Sequence, residues 1–226
     1  MMTQPSVIHW PLSDAQRNAI TAQLAGRHIS AGLGTTDEPC SVAAINLALT
    51  GELTASIPEC MSAVIGWWII RVQDAMPDAM RNSAQWRHLL PLAAGTGRDR
   101  ETERLTFILE WMWETVLPCL QPIADRRGFG REWVRMCNQR TEDAAVYAIR
   151  AAAIAAAYSA EDAAAAAANA AQREIADDIG LLTDAQAAAQ AAASVADTLA
   201  INDAADNAAI WTTFDPCGLL ARLVEL

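Results

Sequence analysis

The chain contains no lysine; its 16 basic side chains are all arginine. A Walker-type phosphate site, which needs a lysine after its glycine-rich turn, is therefore excluded. Three Phe and two Tyr leave eight Trp to carry most of the aromatic area. The five cysteines (Cys40, Cys60, Cys119, Cys137, Cys217) show neither CxxC nor CxxxH spacing. An odd count in a chain of 226 residues argues for reduced thiols over a disulfide scaffold. The histidines, His9, His28 and His88, lie beyond helical reach of one another and of any cysteine, so neither a metal nor another cofactor is expected. No segment alternates apolar and polar residues with period two, which leaves no strand. The longest strongly apolar run, Ala63 to Ile70, is far short of a membrane span. Met1 to Leu12 has no charged n-region and no apolar run, so no signal peptide is expected and a cytoplasmic location is.

What is abundant is alanine. It fills 32 of the 68 positions from Asp143 to Ile210. Alanine is the strongest helix former because it loses no side-chain entropy and hides no polar group. The stretch breaks once, where Gly180 suits a left-handed stop with Leu181 folding back over the last turn. Thr183 and Gln186 then have the spacing of a capping box that opens a second helix. The reading is an antiparallel helical hairpin. Nothing compels the preceding helix, which starts at Gly130, to end before Gly180. One unbroken helix on the order of 50 residues, roughly 75 Å, is allowed. Tyr147, Ile154 and Tyr158 share one face of the first limb, and Val195, Leu199, Asn202, Asp206 and Ile210 make a thinner stripe on the second.

The rest reads as helices too. Ser13 and Gln16 form a capping box for a helix ending near Gly26. Pro39 stands as a first-turn proline before a helix stopped at Gly51. Ser56 with Pro58 opens a third helix whose run through Trp67 and Trp68 is apolar all round, the mark of a central element. Met76-Pro77 ends it; Ser83 caps the next, which Pro91 closes. A longer helix carries Leu105, Ile108, Leu109, Met112 and Val116. Asp215 and Pro216 open a last short helix able to dock on the body. The expected fold is all-α: a Trp-bearing helical body over residues 1–140, then an acidic Ala-rich hairpin with a short terminal helix over residues 141–226.

Charge separates the two parts. The formal total is −11, and residues 141–226 alone carry thirteen acids against three arginines. Glu161, Asp162, Asp177, Asp178, Asp184, Asp197, Asp203 and Asp206 are the candidate protein-binding residues, set along slim helices where they would meet a basic surface, including one that normally holds nucleic acid. The same charge repels nucleic acid itself, and the bland alternative is that these acids only keep an Ala-rich helix in solution. The thin apolar stripes favour a homodimer. Other features have plainer readings. Gly32-Leu33-Gly34-Thr35-Thr36-Asp37 is a helix-connecting turn rather than a phosphate cradle. Trp67-Trp68 and Trp111-Met112-Trp113 place one Trp of each pair in the core and one at its edge. Arg127, Arg131 and Arg135 share a face that suits internal ion pairs better than phosphates. The expectation is a protein that is not an enzyme and that binds, and thereby inhibits, a protein partner. The alternatives are a structural homo-oligomer and an enzyme using Cys60, His88 and scattered acids.

Three segments add a setting: Gly34-Thr35-Thr36-Asp37-Glu38-Pro39-Cys40-Ser41, Asp74-Ala75-Met76-Pro77-Asp78-Ala79-Met80-Arg81-Asn82-Ser83, and Trp86-Arg87-His88-Leu89-Leu90-Pro91-Leu92-Ala93-Ala94-Gly95-Thr96-Gly97. Together they resemble an uncharacterised family of bacterial and prophage genomes, over roughly residues 30–150, in which a similar body precedes an Ala-rich tail of variable length. That family has no assigned activity, so the resemblance carries over no catalytic or binding residue. It implies a mobile-element protein of the kind that blocks host factors, such as CRISPR and other defence complexes.

Overall fold

A computed structural model describes residues 12–155, 168, 180–200 and 204–226. Among these residues the secondary structure is helical, apart from one isolated bridge between Gly34 and Pro39. The all-α class is therefore what the structure shows. The helices are α1 (Asp14–Leu24), α2 (Ser41–Thr50), α3 (Ala63–Ala75), α4 (Asp78–Arg81), α5 (Ala84–Ala93) and α6 (Glu101–Trp111), then a π turn (Met112–Val116) and a 3₁₀ turn (Leu117–Leu120). There follow α7 (Gln121–Arg127), α8 (Gly130–Gln139), α9 (Glu142–Ala155), α10 (Leu181–Ala200), α11 (Ala204–Phe214) and α12 (Pro216–Glu225). The chain divides into two compact units, Met1–Arg104 with Cys217–Leu226, and Leu105–Pro216. Residue 140 falls inside the second.

The first unit is built on α3, whose Val64, Ile65, Trp68, Ile69 and Val72 are fully buried. Each such side chain contributes about 1.5–3 kcal/mol relative to exposure. The Trp68 and Trp86 rings lie 6.2 Å apart, and Trp86 Nε1 donates to Ser41 Oγ. Ser13 and Gln16 form the expected capping box on α1. Gly51 ends α2 in the left-handed conformation. Ser83 accepts from Trp86 N at the start of α5. The terminal helix α12 buries Leu220 and Leu223 in this unit, and Arg104 donates to Leu223 O.

Three boundaries differ from expectation. The cap of α2 is Cys40, whose sulfur accepts from Ala43 N; Pro39 sits one residue outside the helix, held in the bridge to Gly34. Ser56 and Pro58 open no helix. Asn46 Nδ2 donates to both Thr54 O and Ser56 O, which holds that strip non-helical, and α3 starts at Ala63, capped by Ser62. Pro91 lies inside α5, which continues to Ala93; the missing N–H removes one donor without ending so short a helix.

The loop from residue 25 to 40 is templated by the segment 73–82. Ile29 N donates to Asn82 Oδ1, and Asn82 Nδ2 and Arg81 Nε donate back to Ile29 O. Gly32 N donates to Asp74 Oδ1, and Ser41 N to Gln73 Oε1. Gly34 has φ of 73°, and a Cβ there would lie 2.1 Å from Glu38 O. Only glycine closes this turn, and its function is helix connection, as the sequence indicates.

In the second unit, Trp111 and Trp113 are both buried, so the expectation of one core Trp and one edge Trp fails for this pair. Trp111 Nε1 donates to Phe214 O with the rings edge to face, while the Arg140 guanidinium lies 5.4 Å over the Trp113 ring. Each ring thus has its own covering neighbour. The Trp67-Trp68 pair behaves as expected, with Trp68 buried and Trp67 half-buried. Trp133 Nε1 donates to Leu117 O, tying α8 to the 3₁₀ turn.

A helix unbroken from Gly130 does not form. Arg140 adopts φ 49°, ψ 45° and terminates α8 at Gln139. Ala145 N then donates to Thr141 O as α9 begins. Gly180 directly precedes α10. Its carbonyl accepts from Thr183 N and Asp184 N, so it starts α10, and Thr183 lies inside the first turn rather than capping it. Leu181 opens that turn and is exposed; the helix end it was expected to fold over lies outside the described residues. The rest of the first limb, and with it the hairpin, lies outside the described residues.

Candidate functional site

The proposed carboxylates are placed unevenly. Asp184 lies in the first turn of α10 and is only 9% exposed, so it is withdrawn as a docking residue. Its helix is not a bare rod: Ala185, Ala187, Ala188, Ala189, Ala191, Ala192, Val195 and Ala196 are all buried. Methyl-sized side chains let neighbouring backbones close over most of its circumference, which encloses an early carboxylate along with the alanines. Asp197 is carried by α10 and Asp206 by α11. Glu161, Asp162, Asp177, Asp178 and Asp203 lie outside the described residues.

The arginine cluster does not make one face. Gly128, left-handed at φ 87°, separates Arg127 on α7 from Arg131 and Arg135 on α8. Arg135 donates to Gln139 Oε1 and stacks 5.5 Å over the Tyr147 ring, while Arg140 pairs with Glu114 at 3.5 Å. Tyr147 itself is 52% exposed and gives α9 no buried stripe at that point.

The thiols are built into the frame. Cys40 is a helix cap, Cys60 is 1% exposed, and burial pushes the Cys60 and Cys119 thiols above the ordinary range. Cys137 is pushed up to about 11 by burial, against the pull of Arg140. A thiol held neutral is a poor nucleophile and a poor metal ligand. Among the described residues no three of His, Cys, Asp and Glu gather as a metal set, and no helix is long and apolar enough to cross a membrane. His28 Nε2 lies 2.9 Å from Asp78 Oδ1, which Arg81 also contacts. Desolvation raises the Asp78 carboxyl, but the combined pull of His28 and Arg81 leaves it below its ordinary value. That cluster ties the loop at His28 to α4.

A feature the sequence did not single out is a groove of about 440 Å³ between α1 and α5. Arg17, Thr21, Leu24 and Ala25 line one wall at helical spacing, and Ala84, Arg87, His88, Pro91 and Leu92 the other. The helices run antiparallel there. Arg17, early in α1, lies against Gly95 just past α5, while Arg87, early in α5, donates to Leu24 O at the end of α1. The readable signal was the matched face on each helix; which helix would pair with which was not encoded locally.

No family model, no curated protein and no solved structure matches this chain, so its functional reading rests on its own residues.

Proposed function

We propose that this chain is a non-enzymatic helical binding protein that engages a basic protein surface through the acids of its C-terminal part. The observation that carries the reading is charge: thirteen acids against three arginines over residues 141–226. Two described arginines near the start of that region are turned to internal partners, Arg135 to Tyr147 and Gln139 and Arg140 to Trp113 and Glu114, which does nothing to neutralise it. A surface of this sign speeds encounter with a basic partner and weakens as salt screens it. A partner whose basic groove ordinarily holds nucleic acid suits it best, and occupying that groove would inhibit it, as an anti-defence factor of a phage does.

The test is affinity capture from a bacterial lysate by the full chain and by a variant with Asp197, Asp203 and Asp206 changed to Asn. The recovered partner is then titrated with both forms across salt concentrations and against competing DNA and RNA. The expected result is a partner released by salt, held more weakly by the variant and displaced by nucleic acid. A partner held equally by both forms and indifferent to salt refutes the reading. Light scattering on the purified chain separates it from the alternative in which Ala-rich helices join copies of the chain.

A further inference from the structure

A different observation concerns the α1–α5 groove, and it stands independently of the acidic region. Buried or half-buried arginines are normally satisfied by protein oxygens, since a guanidinium removed from water without acceptors is costly. Here Arg81 donates to Ile29 O, Gln73 O, Met76 O and Asp78 Oδ1, and Arg104 to Gly97 O, Thr96 O and Leu223 O. Arg87 donates to Leu24 O, Arg27 O, Asn82 O and Asn82 Oδ1, and Arg27 to Thr36 O. Arg17 is half-buried too, yet among the described residues its guanidinium has no hydrogen-bond or ion-pair partner.

Its position is nonetheless defined. A Cβ on Gly95 would lie 3.1 Å from Arg17 Nη1 and 3.3 Å from Nη2, so the guanidinium rests against a backbone position that has no side chain. It lines the same groove as Leu24, Pro91 and Leu92, with the exposed His88 on the wall that carries Pro91. Leu92 stays 37% exposed, although it is large and apolar. Arg87, by contrast, is committed to the frame, with four of its five N–H groups donating to Leu24 O, Arg27 O, Asn82 O and Asn82 Oδ1. The volume falls within the roughly 300–1,000 Å³ of small-molecule sites, and an apolar trough with a few converging polar groups is their usual chemistry.

We propose that this groove binds a small organic anion with an apolar tail. Its carboxylate or phosphate head is received by the planar fork of Arg17 beside Gly95, and its chain runs along the groove past Pro91 and Leu92 toward Leu24 and His88. Arginine suits either head because both offer paired oxygens to two parallel N–H groups.

The test is a two-dimensional amide NMR titration of the full chain with octanoate, octyl phosphate and, as the uncharged control, octanol. The proposal expects saturable shifts confined to residues around Thr21, His88 and Leu92 with at least one anion, and much weaker ones with octanol. The anion that binds more tightly identifies the head group. Arg17→Gln should weaken binding at least tenfold, whereas Arg71→Gln, at an exposed arginine outside the groove, should not. Gly95→Ala keeps the charge but displaces the guanidinium, and should also weaken binding; it serves if Arg17→Gln disturbs the fold. Absence of saturable shifts with both anions, equal binding of octanol, or unchanged affinity in both Arg17→Gln and Gly95→Ala would overturn the proposal.

Discussion

Gly66 offers a stability test whose sign depends on one neighbour. It lies in the interior of α3, where alanine in place of glycine ordinarily stabilises by about 1 kcal/mol through helix propensity. In this fold the new methyl would lie 2.6 Å from Ile57 Cγ2, 2.7 Å from Cγ1 and 2.9 Å from Cδ1. Both γ-carbons are involved, so the β-branched side chain cannot escape by turning its far end, and χ1 is stiff. Overpacking of this kind costs about 1–3 kcal/mol. Gly66→Ala should therefore destabilise the first unit by about 1 kcal/mol net. In an Ile57→Ala background the obstruction is gone, and the same substitution should stabilise by about 0.5–1 kcal/mol. Urea unfolding followed through the indole NMR signals of Trp68 and Trp86 reads this unit by itself. Equal effects of Gly66→Ala in the two backgrounds would refute the packing argument.

Four further outcomes are expected. Glu101 accepts from Ser62 Oγ, Ala63 N and Val64 N at the start of α3, so Glu101→Ala should cost about 2–4 kcal/mol in the same assay, and Glu101→Gln less. Asp78 has its carboxyl lowered by His28 and Arg81; its contribution is present above the ordinary carboxylate range and lost as pH falls through the lowered value, so Asp78→Asn should flatten that part of the acid limb of a stability–pH curve. With Cys137 at about 11, only ~0.1% of it is thiolate at pH 8, and mass-spectrometric footprinting with iodoacetamide should label it far more slowly than after denaturation. At Arg140, glycine relieves a left-handed backbone but loses the Trp113 and Glu114 contacts, so Arg140→Gly should be near neutral while Arg140→Ala, which loses the contacts and keeps the strain, should destabilise by about 1–2 kcal/mol in urea unfolding.

The helices were legible wherever a local signal ended them. Ser13 with Gln16, Gly51 and Ser83 each act through atoms within four residues, and each does in the fold what its spacing implies. The misreadings have a common cause in partners distant in sequence. Ser56-Pro58 looks like a helix start until Asn46 occupies the Thr54 and Ser56 carbonyls. Trp111 and Trp113 look like one inner and one outer residue until Phe214 covers the first and Arg140 the second. The break at residue 140 was partly readable: Thr141-Glu142-Asp143 is a cap followed by acids, which favours a helix start, but the alanines beyond it suggested continuity. Of the candidate site, the charge imbalance was legible in composition; the burial of Asp184 and the groove were not, because both depend on which helices meet.

The three segments that drew attention in the sequence owe their polar character largely to architecture. A loop such as residues 25–40 presents backbone N–H and C=O groups that no helix or strand can satisfy, and side chains must meet that demand. Asp74, Gln73, Arg81 and Asn82 do so for Ile29, Gly32 and Ser41, and Thr96 does so for Ser62. A carboxylate already bonded to backbone cannot act as an acid or base without releasing the loop it holds, so these residues are poor candidates for chemistry however suggestive their grouping. The same accounting gives Arg17 its weight. It is a half-buried cation that no backbone group or carboxylate among the described residues engages, in a groove whose other arginine, Arg87 on the facing wall, has four of its five N–H groups engaged. A polar group the fold does not use is the one a ligand can claim.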